Sequence, residues 1–314
     1  MNRILVSGCC GFIGSHLCEL LLKKGLIICG IDNMNDYYDI NIKEKNLQLL
    51  NKYKNFSFYK DDIVNTNIIS LFKPYKIVHL ASMAGVRYSI KNPKYYCKVN
   101  IEGFIHILEE SVKNNVKQIV YASSSSVYGL NSKLPFNEED ITDTCNSPYA
   151  CSKLATELYA KMYNQLYGIK TIGLRFFTVY GPRGRPDMAP YKFLYSIMNN
   201  KPITKYGNGL STRDYTYIDD IVNGINLSLE NKKNIECDVL NLGSSNPISL
   251  NKFIETCEKI TNKSAIIEEY NNQLGDVPHT YADITKAEKL LNYKPTTSLK
   301  EGLKNTYNYL LTNK

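Results

Sequence analysis

The 314-residue chain contains no apolar stretch of about 18 residues, the minimum for a membrane-spanning helix. Its first apolar run, Ile4-Leu5-Val6, breaks at Ser7-Gly8, so neither a membrane span nor an export signal is expected. Nine cysteines, scattered from Cys9 to Cys257, show no Cys-x-x-Cys spacing, which argues against a zinc site and against a disulfide framework. Reduced thiols in a cytoplasmic, cytosol-like compartment are the expectation. The four histidines, His16, His79, His106 and His279, lie far apart without ligand spacing, so no catalytic metal is expected. There is no Lys/Arg block either: the net charge of +8 comes from 38 basic and 30 acidic residues spread along the chain, which leaves no footprint for nucleic acid. The mild positive field suits anionic small molecules, and it is equally compatible with a solvated basic surface. No internal repeat and no low-complexity linker is visible.

What is present is a composition 43% hydrophobic and 11% aromatic, enough to bury the core of one large domain or two modest ones. The first half alternates short β-branched runs with longer amphipathic ones, the signature of a parallel sheet covered by helices. Strands are expected at residues 3–7, 26–31, 56–60, 76–81, 118–123 and 171–176, with helices at 15–24, 100–115 and 149–167. After Gly181-Pro182 the pattern changes, and prolines at 182, 186, 190 and 202 punctuate short elements. Strands recur at 214–218 and 239–242, and helices at 250–261, 285–291 and 299–311 close the chain. The expected fold is α/β: a Rossmann-type doubly wound parallel sheet (residues 1–174 plus 211–243) with a smaller, discontinuous α/β substrate domain (residues 175–210 plus 244–314).

Directly after the first strand comes Gly8-Cys9-Cys10-Gly11-Phe12-Ile13-Gly14, leading into a helix. Glycines at this spacing permit a tight turn, close backbone approach to a pyrophosphate and close packing of helix on strand. The next strand ends in Asp32-Asn33, where a carboxylate can accept hydrogen bonds from the adenosine ribose. Its charge would repel the 2′-phosphate of NADP and no arginine follows nearby, so NAD is favoured. By the same logic Asp62-Ile63, Leu80-Ala81 and Ala84 follow strands on the ligand edge, and Asn100 is assigned to the cofactor site with them.

Further along, Tyr149-Ala150-Cys151-Ser152-Lys153 puts a phenol and an ammonium on one helix face. A tyrosine is a poor base at neutral pH, but a lysine and a cationic nicotinamide nearby favour its phenolate. The phenolate can then take a proton from a sugar hydroxyl. Such a pair arises easily by chance among 25 tyrosines; its weight comes from the glycine loop, Asp32 and the hydroxyl-rich Ser123-Ser124-Ser125-Ser126 that precede it in order.

These features, together with longer strings, resemble the extended short-chain dehydrogenases of the NAD-dependent epimerase/dehydratase family, and within it the UDP-glucuronate 4-epimerases, over essentially the whole chain. The strings are Gly30-Ile31-Asp32-Asn33-Met34-Asn35-Asp36-Tyr37-Tyr38-Asp39, His79-Leu80-Ala81-Ser82-Met83-Ala84-Gly85-Val86-Arg87-Tyr88-Ser89, Leu174-Arg175-Phe176-Phe177-Thr178-Val179-Tyr180-Gly181-Pro182 with Gly184-Arg185-Pro186-Asp187-Met188, Arg213-Asp214-Tyr215-Thr216-Tyr217-Ile218-Asp219-Asp220, and Gly275-Asp276-Val277-Pro278.

The resemblance implies a UDP-sugar 4-epimerase with Tyr149 and Lys153 as catalytic pair, inverting C4 through a 4-keto sugar. It makes Ser124 and Ser126 the assisting hydroxyls, although threonine is usual in the family where Ser126 stands. Arg87, Ser125, Thr178 and Arg185 fall at positions used near the substrate, and Arg185 and Thr178 suit the carboxylate of a uronic acid. Arg213 and Asp276 would hold the diphosphate and the uridine ribose. Family members commonly dimerise through the helices at 100–115 and 149–167, so a homodimer is expected.

Among relatives, dehydratases and uronate decarboxylases carry an acidic residue where this chain has Ser125 and Ser126, which disfavours elimination chemistry. UDP-glucose or UDP-N-acetylglucosamine epimerases usually place an arginine where this chain has Asn272-Gln273-Leu274, which favours the uronate over those alternatives. A non-catalytic NAD-binding regulator on the same fold would typically have lost the Tyr/Lys pair.

Overall fold

The computed structural model describes residues 2–271 and 277–312. Seven parallel strands form the main sheet: β1 (Arg3–Ser7), β2 (Ile27–Asp32), β3 (Phe56–Lys60), β4 (Lys76–His79), β5 (Gln118–Ser124), β6 (Lys170–Phe176) and, far later in the chain, β10 (Cys237–Leu242). Their spatial order is β10-β6-β5-β4-β1-β2-β3, so the winding reverses between β1 and β4. Ligands bind such sheets beyond the carboxyl ends of the strands at that reversal. The strands are apolar on both faces because helices cover both: β1 sends Ile4 and Val6 into one core cluster and Leu5 into the other.

Local sequence accounts for the helices that frame the cleft. The first helix, Phe12–Lys23, buries Leu17, Cys18, Leu21 and Leu22, a one-sided stripe at helical spacing. The long helix Pro148–Tyr167 is started by Ser147, whose Oγ accepts from the Ala150 amide at 3.2 Å, with Pro148 in the first turn, and it ends at Gly168 in the left-handed region. The helix expected at 100–115 begins instead as a π-helical stretch, Cys97–Glu102, before Gly103–Lys113.

Two small sheets stand at the carboxyl edge. β7 (Thr178–Tyr180), β9 (Thr212–Tyr217) and β11 (Pro247–Ser249) form one, with β9 central; β8 (Pro202–Tyr206) and β12 (Ile266–Tyr270) form the other. Residues 212–217, which the sequence reading grouped with the large sheet, therefore pair elsewhere, while Ile218–Glu230 and β10 return to it. The reason is tertiary. Buried Asp214 accepts from the amides of Ser244 (2.7 Å), Ser245 (3.0 Å) and Ala282 (3.1 Å), which ties β9 to the segments that cover the edge. No helix among the described residues is long and apolar enough to cross a membrane.

Candidate active site

A cavity of about 1120 Å³ runs along the carboxyl ends of β1, β2, β4, β5 and β6 and under the small sheets. At its dinucleotide end Gly8 takes φ +71, a left-handed conformation, and a Cβ there would lie 2.8 Å from the Ala81 amide nitrogen. A Cβ on Gly14 would lie 2.0 Å from the Gly8 carbonyl oxygen. Gly11 precedes the first helix and supplies no side-chain cap, which leaves the first-turn amides around Phe12, Ile13 and Gly14 for an anion. This cradle, filled by any side chain, fits a pyrophosphate.

Asp32, 6% exposed, closes the same end. Its carboxylate accepts from the amides of Cys10 (3.2 Å) and Met34 (2.9 Å), and Lys43 from the helix Ile40–Leu50 approaches to 3.5 Å. The buried Lys43 also donates to Asn35 Oδ1 at 3.1 Å. No arginine follows Asp32 in the sequence, but the helix Ile40–Leu50 brings a lysine to it. Lys43 thus partly offsets the charge with which Asp32 would repel a 2′-phosphate. The spacing from Asp32 to Lys43 carries no local signal, since the two meet only through the packing of that helix.

Asn33, Ile63, Leu80, Ala81 and Ala84 line the cavity as expected. Two assigned residues stand behind its wall instead. Asp62 accepts from Asn33 Nδ2 at 3.0 Å, while its neighbour Asp61 faces the cavity. Asn100, 1% exposed, exchanges hydrogen bonds with the backbone of Met83 (2.7 and 2.9 Å) and donates to Ser152 Oγ at 2.9 Å. It clips the loop after β4 to the long helix, one residue before Lys153.

The long helix carries Tyr149 and Lys153 on the face turned to the end of β5, and both line the cavity with Ser124, Ser125 and Ser126. The Ser124 Oγ accepts from the Ser126 amide at 3.1 Å. Burial raises the Tyr149 pKa above its ordinary value, and the polar Ser124 hydroxyl and the nearby Arg185 charge both oppose the rise. Lys153 donates to the Ala122 carbonyl at 2.8 Å, and burial pulls its pKa down to about 7 against the attraction of Glu157. His79, below them, is pushed down to about 3 by burial and by Lys153, and its Nδ1 lies 2.9 Å from Ser7 Oγ.

Glu157 was missed by the sequence reading, although its place four residues after Lys153 puts it on the same helix face. It receives a two-pronged bond from Arg175 on β6, Nε to Oε1 at 2.9 Å and Nη2 to Oε2 at 2.7 Å, and accepts from Ser123 Oγ at 2.5 Å. Both charges are buried, at 5% and 7% side-chain exposure. The pair joins helix, β5 and β6 one helical turn beyond Lys153.

At the sugar end, Thr178 opens β7 and Arg185 follows in the loop; both line the cavity. Arg185 lies with its guanidinium 5.4 Å from the centre of the Tyr37 ring, and is engaged by Asp187 through Nε to Oδ1 at 3.0 Å and Nη2 to Oδ2 at 2.6 Å. Burial disfavours its cation, but Asp187 outweighs that and holds the guanidinium charged. Arg87 stacks on Tyr206 of β8 with 4.5 Å from guanidinium to ring centre. Arg213 on β9 donates to the carbonyls of Thr212 (2.9 Å) and Pro278 (3.2 Å). Asp276 lies outside the described residues.

A glycine-cradled cleft at the sheet's reversal, a ribose-type carboxylate and a Tyr/Lys/Ser cluster together define the extended short-chain dehydrogenase class. A family model described as GDP-mannose 4,6 dehydratase matches residues 5–306, and the chain belongs to that family of nucleotide-sugar enzymes. It is 45% identical over 314 residues to a UDP-glucuronate 4-epimerase of Thermodesulfobacterium geofontis, covering 98% of this chain and 96% of that one. Among solved structures it is similar to UDP-glucuronic acid 4-epimerase from Bacillus cereus in complex with UDP-glucuronic acid and NAD, at 39% identity and a TM-score of 0.95 over 99% of both chains. It is also similar to UDP-glucose 4-epimerase from Thermotoga maritima with UDP-glucose, at 32% identity and a TM-score of 0.91, again over 99% of both.

Proposed function

We propose that the chain is an NAD-dependent 4-epimerase that interconverts UDP-glucuronate and UDP-galacturonate through a 4-keto sugar. The observation that carries the uronate is the placement of Arg185 in the cavity wall within electrostatic reach of the Tyr149 phenol. A base and a carboxylate-binding fork therefore face one small region, as C4 and the C5 carboxylate of a uronic acid require.

Gly8, Gly11 and Gly14 admit the pyrophosphate of NAD, and Asp32 receives its adenosine ribose. When bound, NAD supplies the hydride acceptor and donor. Tyr149 as phenolate removes the proton from the sugar O4, with the Ser124 and Ser126 hydroxyls beside it in the wall. After the keto sugar has turned, Tyr149 returns the proton to O4 on the opposite stereochemical course, so the reaction has no net redox change. The ammonium of Lys153 favours the phenolate, and Glu157 favours that ammonium. Arg185 and Thr178 restrain the carboxylate, which matters because a 4-keto uronate is a β-keto acid that loses carbon dioxide when its carboxylate rotates freely. Arg87 and Arg213 face the diphosphate.

Serines at 125 and 126 stand where elimination would need an acid, which separates this chain from the dehydratase activity in its family's description. The exposed Leu158, Met162 and Leu166 form a stripe along the long helix, and a second copy of the chain covers it in a homodimer. Nine free cysteines fit a cytoplasmic setting. The test is to give the purified protein with NAD either UDP-glucuronate or UDP-glucose and to separate the products by chromatography. UDP-galacturonate should form from the first; conversion of UDP-glucose alone would overturn the substrate.

A further inference from the structure

Arg185 has two kinds of partner. Tyr37 belongs to the body of the protein: its hydroxyl lies 3.1 Å from the position of a Cβ on Gly85, and its ring packs against Tyr88 with centroids 4.9 Å apart. Asp187 does not. It sits in the segment between β7 and the helix Ala189–Met198, its side chain is 38% exposed, and among the described residues Arg185 is the one donor to its carboxylate. The guanidinium thus packs near the Tyr37 ring, 5.4 Å from its centre, and holds Asp187 through both of its carboxylate oxygens. A carboxylate anchored by other bonds would orient Arg185; an unanchored one fills its fork and can leave it.

We propose that Asp187 is a specificity-determining residue. It occupies the Arg185 fork while no sugar is bound, and the carboxylate of a uronate takes its place. The inference rests on UDP-glucuronate being the substrate. A ligand with its own carboxylate, delivered to the fork by its anchored UDP, replaces one charge-assisted pair by another while Asp187 swings to water. A neutral hexose brings no such group, leaves the Arg185–Asp187 pair closed and gains nothing from the guanidinium. Stray small anions, lacking a nucleotide anchor, compete poorly with a carboxylate two residues away on the same chain.

The test measures binding by calorimetry to the NAD-loaded protein in a Tyr149→Phe background, so that no turnover intervenes. UDP-glucuronate and UDP-glucose are each titrated into the protein with Asp187, with Asp187→Asn and with Asp187→Ser. Losing the competing carboxylate should tighten UDP-glucuronate by about three- to fivefold in both variants and leave UDP-glucose within about 1.5-fold, the size expected of a partly exposed ion pair. Unchanged or weaker UDP-glucuronate binding would overturn the proposal, because Asp187 would then be orienting Arg185. Equal tightening of both ligands would also overturn it, since removing a negative charge near any UDP-sugar does that. If the protein with Tyr149 and Asp187 intact converts only UDP-glucose, the substrate reading fails instead, and the two failures are distinct.

Discussion

The two ends of the cavity recognise their ligands by different physics. At the dinucleotide end the cradle for the pyrophosphate is backbone, with the Asp32 carboxylate beside it: Gly8 and Gly14 have no room for a Cβ, and the first helix offers its first-turn amides. At the sugar end the contact is side chain, drawn from β5, the long helix, β7 and the loop carrying Arg185, and its charges are paired with one another. Gly8 and Gly14 at the first end leave no room for a side chain. On the proposed function, it is the side chains of the second end that decide which sugar is processed.

Four substitutions sharpen or break that contrast. Tyr149→Phe should have the largest effect, lowering kcat by about 10³-fold or more while NAD stays bound, because it removes the base and leaves the backbone cradle intact. Cofactor retention by gel filtration and turnover measured on the same sample check both halves. Gly14→Ala should do the reverse: with its Cβ at 2.0 Å from the Gly8 carbonyl, the first turn must move, and NAD should be lost before any sugar-dependent step is reached. Retention of NAD at ordinary affinity would show that the cradle is not what binds it.

Arg185→Ala should lower kcat/KM for UDP-glucuronate by about 10- to 100-fold, the worth of charged hydrogen bonds, with little change for UDP-glucose. An equal loss with both would move Arg185 from carboxylate recognition to loop structure. Glu157→Gln should act through pH. Lys153 lies at about 7 because burial lowers it and Glu157 raises it, so removing the Glu157 charge lowers it further. The ammonium is then lost at a lower pH, and the alkaline limb of the kcat/KM profile should move downward. A profile that keeps its position while activity falls would assign Glu157 a purely structural role.

The same contrast explains what the sequence conveys. The glycine turn, the ribose acid at the end of β2 and the Tyr/Lys helix are readable because each lies within one strand–turn or one helix, where spacing alone fixes geometry. The ends of β1 and β3 are likewise set by local pattern. Lys43 beside Asp32, Arg175 on Glu157 and the pairing of β9 with β7 and β11 are tertiary contacts between different elements, and no local period encodes them. Asn100 shows the converse: its position suggested a ligand contact, and its side chain instead satisfies the buried backbone of Met83. Asp187, two residues from Arg185, lies within the range of a local pattern, but its pairing with Arg185 is set by the loop's conformation.

The most direct test of internal hydride transfer is to follow UDP-glucuronate with the NAD-loaded protein in deuterated water by proton NMR at C4. A hydride that leaves and returns within one closed site gives both epimers in which C4 keeps its original hydrogen, with no reduced cofactor released. Loss of the C4 proton to solvent deuterium, or no second epimer at all, would contradict the account.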